Sequence, residues 1–112
     1  MSDEKLSGNM PSYELTPDAE ADFEKIAEYT LREWGEAQQI RYAELLETGF
    51  ECIAEGTAIS RPVLKAFPHL YVSRCEHHYI FYLRSAQDAP PRIIAVLHER
   101  MDMIARIRRR LP

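Results

Sequence analysis

Two amphipathic stripes separated by a single glycine constrain this chain more than any other feature. Ala19, Phe23, Ile26, Ala27, Thr30, Leu31 and Trp34 recur at spacings of three and four, which puts them on one face of a helix. Ile40, Ala43, Leu46, Phe50, Ile53 and Ala54 repeat the pattern. Gly35 lies between the stripes and Gly56 closes the second, both suited to ending a helix in the left-handed conformation. The first helix also has a defined start. Thr16 supplies a hydroxyl N-cap, Pro17 fits the first helical position, and Asp18, Glu20 and Asp22 follow where the positive end of the helix dipole favours them. Two antiparallel helices joined this tightly form a hairpin, and a hairpin cannot hide both stripes by itself. Something must cover it.

The second half of the chain supplies the cover. Residues 12–15 read as a short strand before the hairpin. After it come a short strand around residues 63–67, between Pro62 and Pro68, and two β-rich runs over 70–75 and 79–84 with Glu76-His77-His78 as their turn. Asp88-Ala89-Pro90-Pro91 marks the next turn, and residues 92–97 form the last strand. Strict alternation would put Ile93, Ala95 and Leu97 on one side, with Ile94, Val96 and His98 on the other. The near-continuous apolar character of this strand argues that it is central. A short basic helix follows, from Ala105 to Leu111. The predicted fold is α+β in two layers: a helical hairpin laid across a mostly antiparallel sheet of three or four strands, plus a short basic C-terminal helix. Residues 1–11 are polar and aperiodic and read as a disordered lead, leaving 12–112 as one domain.

Composition excludes some classes. No apolar run approaches the roughly 18 residues of a membrane span, and the N-terminus lacks the basic and apolar regions of a secretory signal. Cys52 and Cys75 are too few for a disulfide framework, and are expected as small core residues in a reducing cytoplasm. Net charge alone misleads. Residues 1–60 carry four basic groups against fourteen acidic ones, a balance of −10, whereas residues 61–112 carry ten against four, a balance of +6. Such a split predicts two layers of opposite sign, and the basic one suits an acidic partner, nucleic acid or protein.

Chemistry-bearing residues gather late in the chain. His98, Glu99, Arg100 and Asp102 end the last strand, where an acid, a base and a cation stand close together. Arg100 and Asp102 are expected to fix the joint to the basic helix by ion pairing. Cys75-x-His77-His78 is a fragment of a metal site without a second ligand pair at a helpful spacing, so neither metal nor cofactor is expected. Trp34, Tyr29 and Tyr42 read as hairpin-packing residues. Glycine-rich phosphate loops and the common hydrolase motifs are absent from the sequence.

Three segments carry a family resemblance. Tyr13-Glu14-Leu15-Thr16-Pro17-Asp18-Ala19-Glu20-Ala21-Asp22 opens the hairpin. Trp34-Gly35-Glu36-Ala37-Gln38 forms its bend, with Arg41-Tyr42 beyond. Tyr79-Ile80-Phe81-Tyr82 and Val96-Leu97-His98-Glu99-Arg100-Met101-Asp102 lie in the sheet. In this order and spacing the chain resembles a ParE-type toxin of the RelE/ParE superfamily. The resemblance implies a type II toxin that inhibits DNA gyrase, with the gyrase A subunit as target. It also implies neutralisation by a ParD-like, ribbon-helix-helix antitoxin in a hetero-oligomer. Membrane attachment and sequence-specific nucleic-acid binding are not expected. Candidate target-binding residues are Arg74, Tyr82, His98, Arg100, Arg106, Arg108, Arg109 and Arg110; candidate antitoxin-binding residues are Tyr42, Leu45 and Arg84. On this reading the protein works by binding and has no catalytic residues, so removing residues 105–112 should abolish toxicity while sparing the fold and antitoxin binding.

The same superfamily contains RelE-like ribosome-dependent mRNA endonucleases, which is the alternative. Arg74, His77, His78, Tyr79, Tyr82, His98 and Arg100 offer the general acid, general base and cations such a reaction needs. Against it, His78 falls where the RelE-like nucleases place an arginine, and the last strand ends without a tyrosine. A net charge of −4 also suits binding within ribosomal RNA poorly.

Overall fold

In the computed structural model of this protein the described residues are 13–86, 88–99 and 101–112. The predicted lead over 1–11 and the side chain of Arg100 lie outside them. Strand β1 (Glu14–Leu15) runs into Thr16, whose hydroxyl accepts the Ala19 N–H at 3.1 Å, and Pro17 opens helix α1 (Pro17–Trp34). Helix α2 (Glu36–Glu55) follows after one residue. Gly35 has φ 92° and ψ 172°, which is not the expected left-handed helical geometry. It is an extended conformation at positive φ, open essentially to glycine alone, and it reverses the chain in one step. Gly56, at φ 81° and ψ 12°, is the left-handed cap predicted for α2.

The sheet has five strands, in the order β1-β5-β4-β3-β2: β2 is Ser60–Leu64, β3 Phe67–Cys75, β4 His78–Leu83 and β5 Arg92–His98. The count exceeds the predicted three or four because β1 joins it, parallel to β5 through Glu14↔Arg92 and Leu15↔Ile93. Two residues are too few to show a period. The other pairs are antiparallel. β2 begins at Ser60, before the predicted start, because the ladder Ser60↔Ser73 and Arg61↔Val72 forms ahead of Pro62. Pro62 is tolerated there on a sheet edge. His78 belongs to β4 and not to the turn.

One register shift changes which residues face the hairpin. Tyr82 pairs with Ile93 and Phe81 with Ala95, so Ile94 is an extra residue in β5. Ile93 and Val96 therefore join Leu46, Phe50, Ile53 and Ile80 beneath the hairpin. Ile94, Ala95 and Leu97 turn to the opposite face with Leu70 and Phe81. The predicted alternation fails at this bulge, which a single sequence does not reveal. Each fully buried Leu, Ile or Phe contributes about 1.5–3 kcal/mol to the core. Helix α3 (Met103–Arg110), capped by the Asp102 carboxylate accepting from the Ala105 N–H, packs Ile107 into the second cluster. Hairpin and sheet form the two predicted layers, and α3 adds a partial third.

The bulge also explains how the edge of β5 is closed. Beyond β1, the Val96 N–H donates to Asp22 Oδ2 at 2.9 Å, and Arg110 Nη1 donates to the Ile94 carbonyl at 3.0 Å. Arg110 grips the same Asp22 carboxylate at 2.6 and 3.1 Å. This fork ties α1, β5 and α3 together and satisfies backbone groups that an open edge would leave for another chain. Among the described residues no helix is long and apolar enough to cross a membrane.

Candidate functional site

At the end of the sheet where β4 starts and β5 finishes, the hairpin overhangs a groove of about 910 Å³. Ile26, Tyr29 and Trp34 of α1 line it with Tyr42 and Leu45 of α2, and Met101 stands at its rim. Its floor is the cross-strand pair His78↔His98, whose rings meet edge to face at 5.4 Å. Helical spacing predicts that Trp34 and Tyr29 pack inside the hairpin. Instead they are 69% and 54% exposed, because the space below them is open.

Tyr42 joins the two layers. Its hydroxyl lies 2.7 Å from His78 Nδ1 and accepts the His77 N–H at 3.1 Å. With one proton and two lone pairs, the hydroxyl can take the His77 N–H and pair with Nδ1 at the same time. Burial, above all, lowers the His78 pKa to about 4; the neighbouring His98 and His77 push the same way and Asp22 weakly opposes them. Burial also raises the Tyr42 pKa, while the His77 N–H bond pulls it down. At neutral pH the Tyr42–His78 pair is therefore uncharged, while Asp22, Lys25 and Glu76 bring charge to the groove lining.

The predicted site residues divide among three places. Tyr42, Leu45 and His98 are in the groove. Arg106, Arg108 and Arg109 are exposed on α3. Arg74 lies at the end of β3 on the opposite face from His78, 5.6 Å over the Tyr79 ring and 3.9 Å from Glu99. The remaining candidates are held within the fold. Tyr82 is 6% exposed, stacked on Tyr71, with its hydroxyl donating to Ser60 Oγ at 2.8 Å. It is no surface residue, because plain alternation along β4 puts it on the same face as Ile80, beneath the hairpin. Arg84 donates to the carbonyls of Ile53 and Ala54 at 3.0 Å each, and to Ala89. It caps the C-terminal carbonyls of α2, which has no basic residue in its last turn. Arg110 is occupied by Asp22, whose hydrogen bond raises the arginine pKa. Asp102 caps α3.

This arrangement separates the groups a ribonuclease would combine. Neighbouring residues on a strand face opposite ways, so Arg74 and Tyr79 stand across the sheet from His78 and His98. With a pKa of about 4, His78 is uncharged near neutrality and cannot serve as an acid there. Among the described residues no group of three His, Cys, Asp or Glu side chains is arranged to hold a metal ion. Sequence reasoning missed Asp22, treated only as a helix-dipole residue, and the exposure of Tyr29, Trp34 and Met101. The one available signal was that the α1 stripe runs to the very bend, farther than a short sheet can cover.

Fold and site together define a small α+β protein, with a partly apolar groove at one end and a cationic helix on the far side of its sheet. The family described as ParE toxin of type II toxin-antitoxin system, parDE, matches residues 13–103. A protein named Toxin ParE from Escherichia coli is 46% identical over 102 residues, which span 91% of this chain and 98% of that one. Among solved structures, a chain of the chromosomal ParDE TA system from P. aeruginosa has the same fold. It superposes with a TM-score of 0.62, covering 78% of this chain and 96% of that one at 13% identity. The chain belongs to the ParE toxin family of type II toxin–antitoxin systems.

Proposed function

We propose that this toxin inhibits DNA gyrase by engaging its A subunit, acting in the cytoplasm, and that a ParD-like ribbon-helix-helix antitoxin neutralises it. Membership of the ParE family supports the first part. The groove carries the second. Tyr29, Trp34 and Leu45 offer apolar side chains around an open channel, and an amphipathic helix roughly 10 Å across seats in such a channel by its apolar stripe. A segment that folds on binding would bury these residues and form the hetero-oligomer. Division of labour follows: the antitoxin takes the groove, and the exposed arginines of α3 serve the target.

A supercoiling assay tests the first part. Purified toxin added at stoichiometric amounts to gyrase is expected to block supercoiling or trap cleaved DNA, and co-purified antitoxin to restore activity. Unchanged supercoiling, with translation-dependent mRNA cleavage after brief expression, would overturn the reading in favour of the nuclease. For the groove, Trp34→Glu and Leu45→Glu are expected to weaken antitoxin binding at least tenfold while leaving gyrase inhibition intact.

A further inference from the structure

We propose that the solvent face of α3 binds the phosphate backbone of duplex DNA without reading its sequence. This deepens the proposed action on gyrase, an enzyme that holds DNA, and rests on that reading only for its biological setting. On α3, Ile107 is fully buried and Arg110 is engaged by Asp22, so the inward side of the helix is fixed. At about 100° per residue, Arg106 and Arg108 emerge on opposite flanks and Arg109 between them on the outer side. All three are exposed, and among the described residues none has a carboxylate within 4.0 Å. One cation is enough to complement the negative end of a helix. Three guanidiniums without a nearby carboxylate, fanned over four residues of an eight-residue helix, are a cost in self-repulsion unless an anion meets them.

Several observations favour duplex phosphate as that anion. The guanidinium fork matches phosphate oxygens in two-point contact. Helix α3 itself has no aromatic residue, and the exposed Tyr29 and Trp34 belong to α1, so its solvent face offers no stacking platform of the kind single strands require. The chain's acidity does not oppose binding here. Its negative charge is concentrated in α1 and α2, which hold eleven acidic against three basic residues on the other side of the sheet. Asp18 and Asp22, the α1 carboxylates that reach α3, are engaged by Arg110 at 3.9 and 2.6 Å, and the rest of that charge lies across the sheet, where salt screens it. The acidic layer would also orient the toxin, turning α3 toward DNA.

The test is fluorescence anisotropy of a labelled 30-base-pair duplex titrated with the full-length protein. With about three phosphate contacts, affinity should fall roughly 40-fold between 50 and 200 mM salt. It should be equal for two unrelated sequences. The combined R106A/R108A/R109A variant should lose most of that affinity and nearly all of the salt slope, with an unchanged circular dichroism spectrum. The combined lysine variant should keep both. Absence of binding at 50 mM salt, or binding that the alanine variant retains, overturns the proposal. Loss of gyrase inhibition by the alanine variant when the native protein shows no DNA binding also overturns it, and assigns the face to an acidic protein surface. DNA binding without gyrase inhibition upholds this proposal and rejects the proposed target.

Discussion

His78 sits between a hydroxyl and a second imidazole, and that position governs how the protein should respond to acid. In the unfolded chain its pKa is the ordinary 6.5, and in the fold about 4. Between these values the unfolded state binds the extra proton, so the stability this residue contributes is full above pH 6.5 and is lost as pH falls toward 4. Urea midpoints should therefore drop between pH 7 and pH 4.5, and His78→Gln should flatten that portion of the profile. Unchanged steepness in the variant would mean that other groups govern the transition. Tyr42→Phe should cost about 1 kcal/mol, since His78 Nδ1 and the His77 N–H lose their shared partner. None of this was legible in the sequence. Glu76-His77-His78 read as a turn, and nothing at residue 42 announces a partner 36 positions away.

Elements were easier to read than their contacts, for a physical reason. Caps and periodicity are local, so Thr16, Pro17 and Gly56 marked helix ends that the structure reproduces. The β5 bulge and the parallel seating of β1 depend on distant partners, and those altered the facing of Ile93 and Ile94 and hid the role of Asp22. Two substitutions probe these contacts. Gly49 lies in α2, where alanine ordinarily gains about 1 kcal/mol. Here an added Cβ would stand 3.1 Å from Cys75 Sγ and 3.2 Å from Ile80 Cδ1, and Ile80 is fully buried. Gly49→Ala should thus destabilise by about 1 kcal/mol, read from the denaturation midpoint. Asp22→Asn keeps an acceptor for Val96 but gives up the charge that holds Arg110, both side chains being mostly buried. A loss of about 2 kcal/mol is expected, with faster amide exchange in α3 than in α2. Equal exchange in the two helices would show that Ile107 alone holds α3.

At the scale of the molecule, the sheet is a partition between an acidic layer and a basic one, as the charge split along the chain implies. The C-terminal segment is more than an appendage, and this corrects the expectation that residues 105–112 can be removed without harm to the fold. Ile107 is fully buried and Arg110 closes the β5 edge. Their deletion should cost at least about 3 kcal/mol, seen as a lower thermal midpoint, so loss of toxicity on truncation would not separate binding from folding. Substituting the three exposed arginines does. The parallel pairing of β1 with β5 sets the order in which the molecule can be finished. Glu14 and Arg92 are 78 residues apart in the chain, so at synthesis rates of about 5–20 residues per second β1 waits roughly 4–16 s for the strand it must join. During that interval the hairpin stripes lack the strand that completes their cover, and the basic helix that closes the fold has yet to be made. β1 and α3 can therefore close on β5 only when the chain is nearly complete.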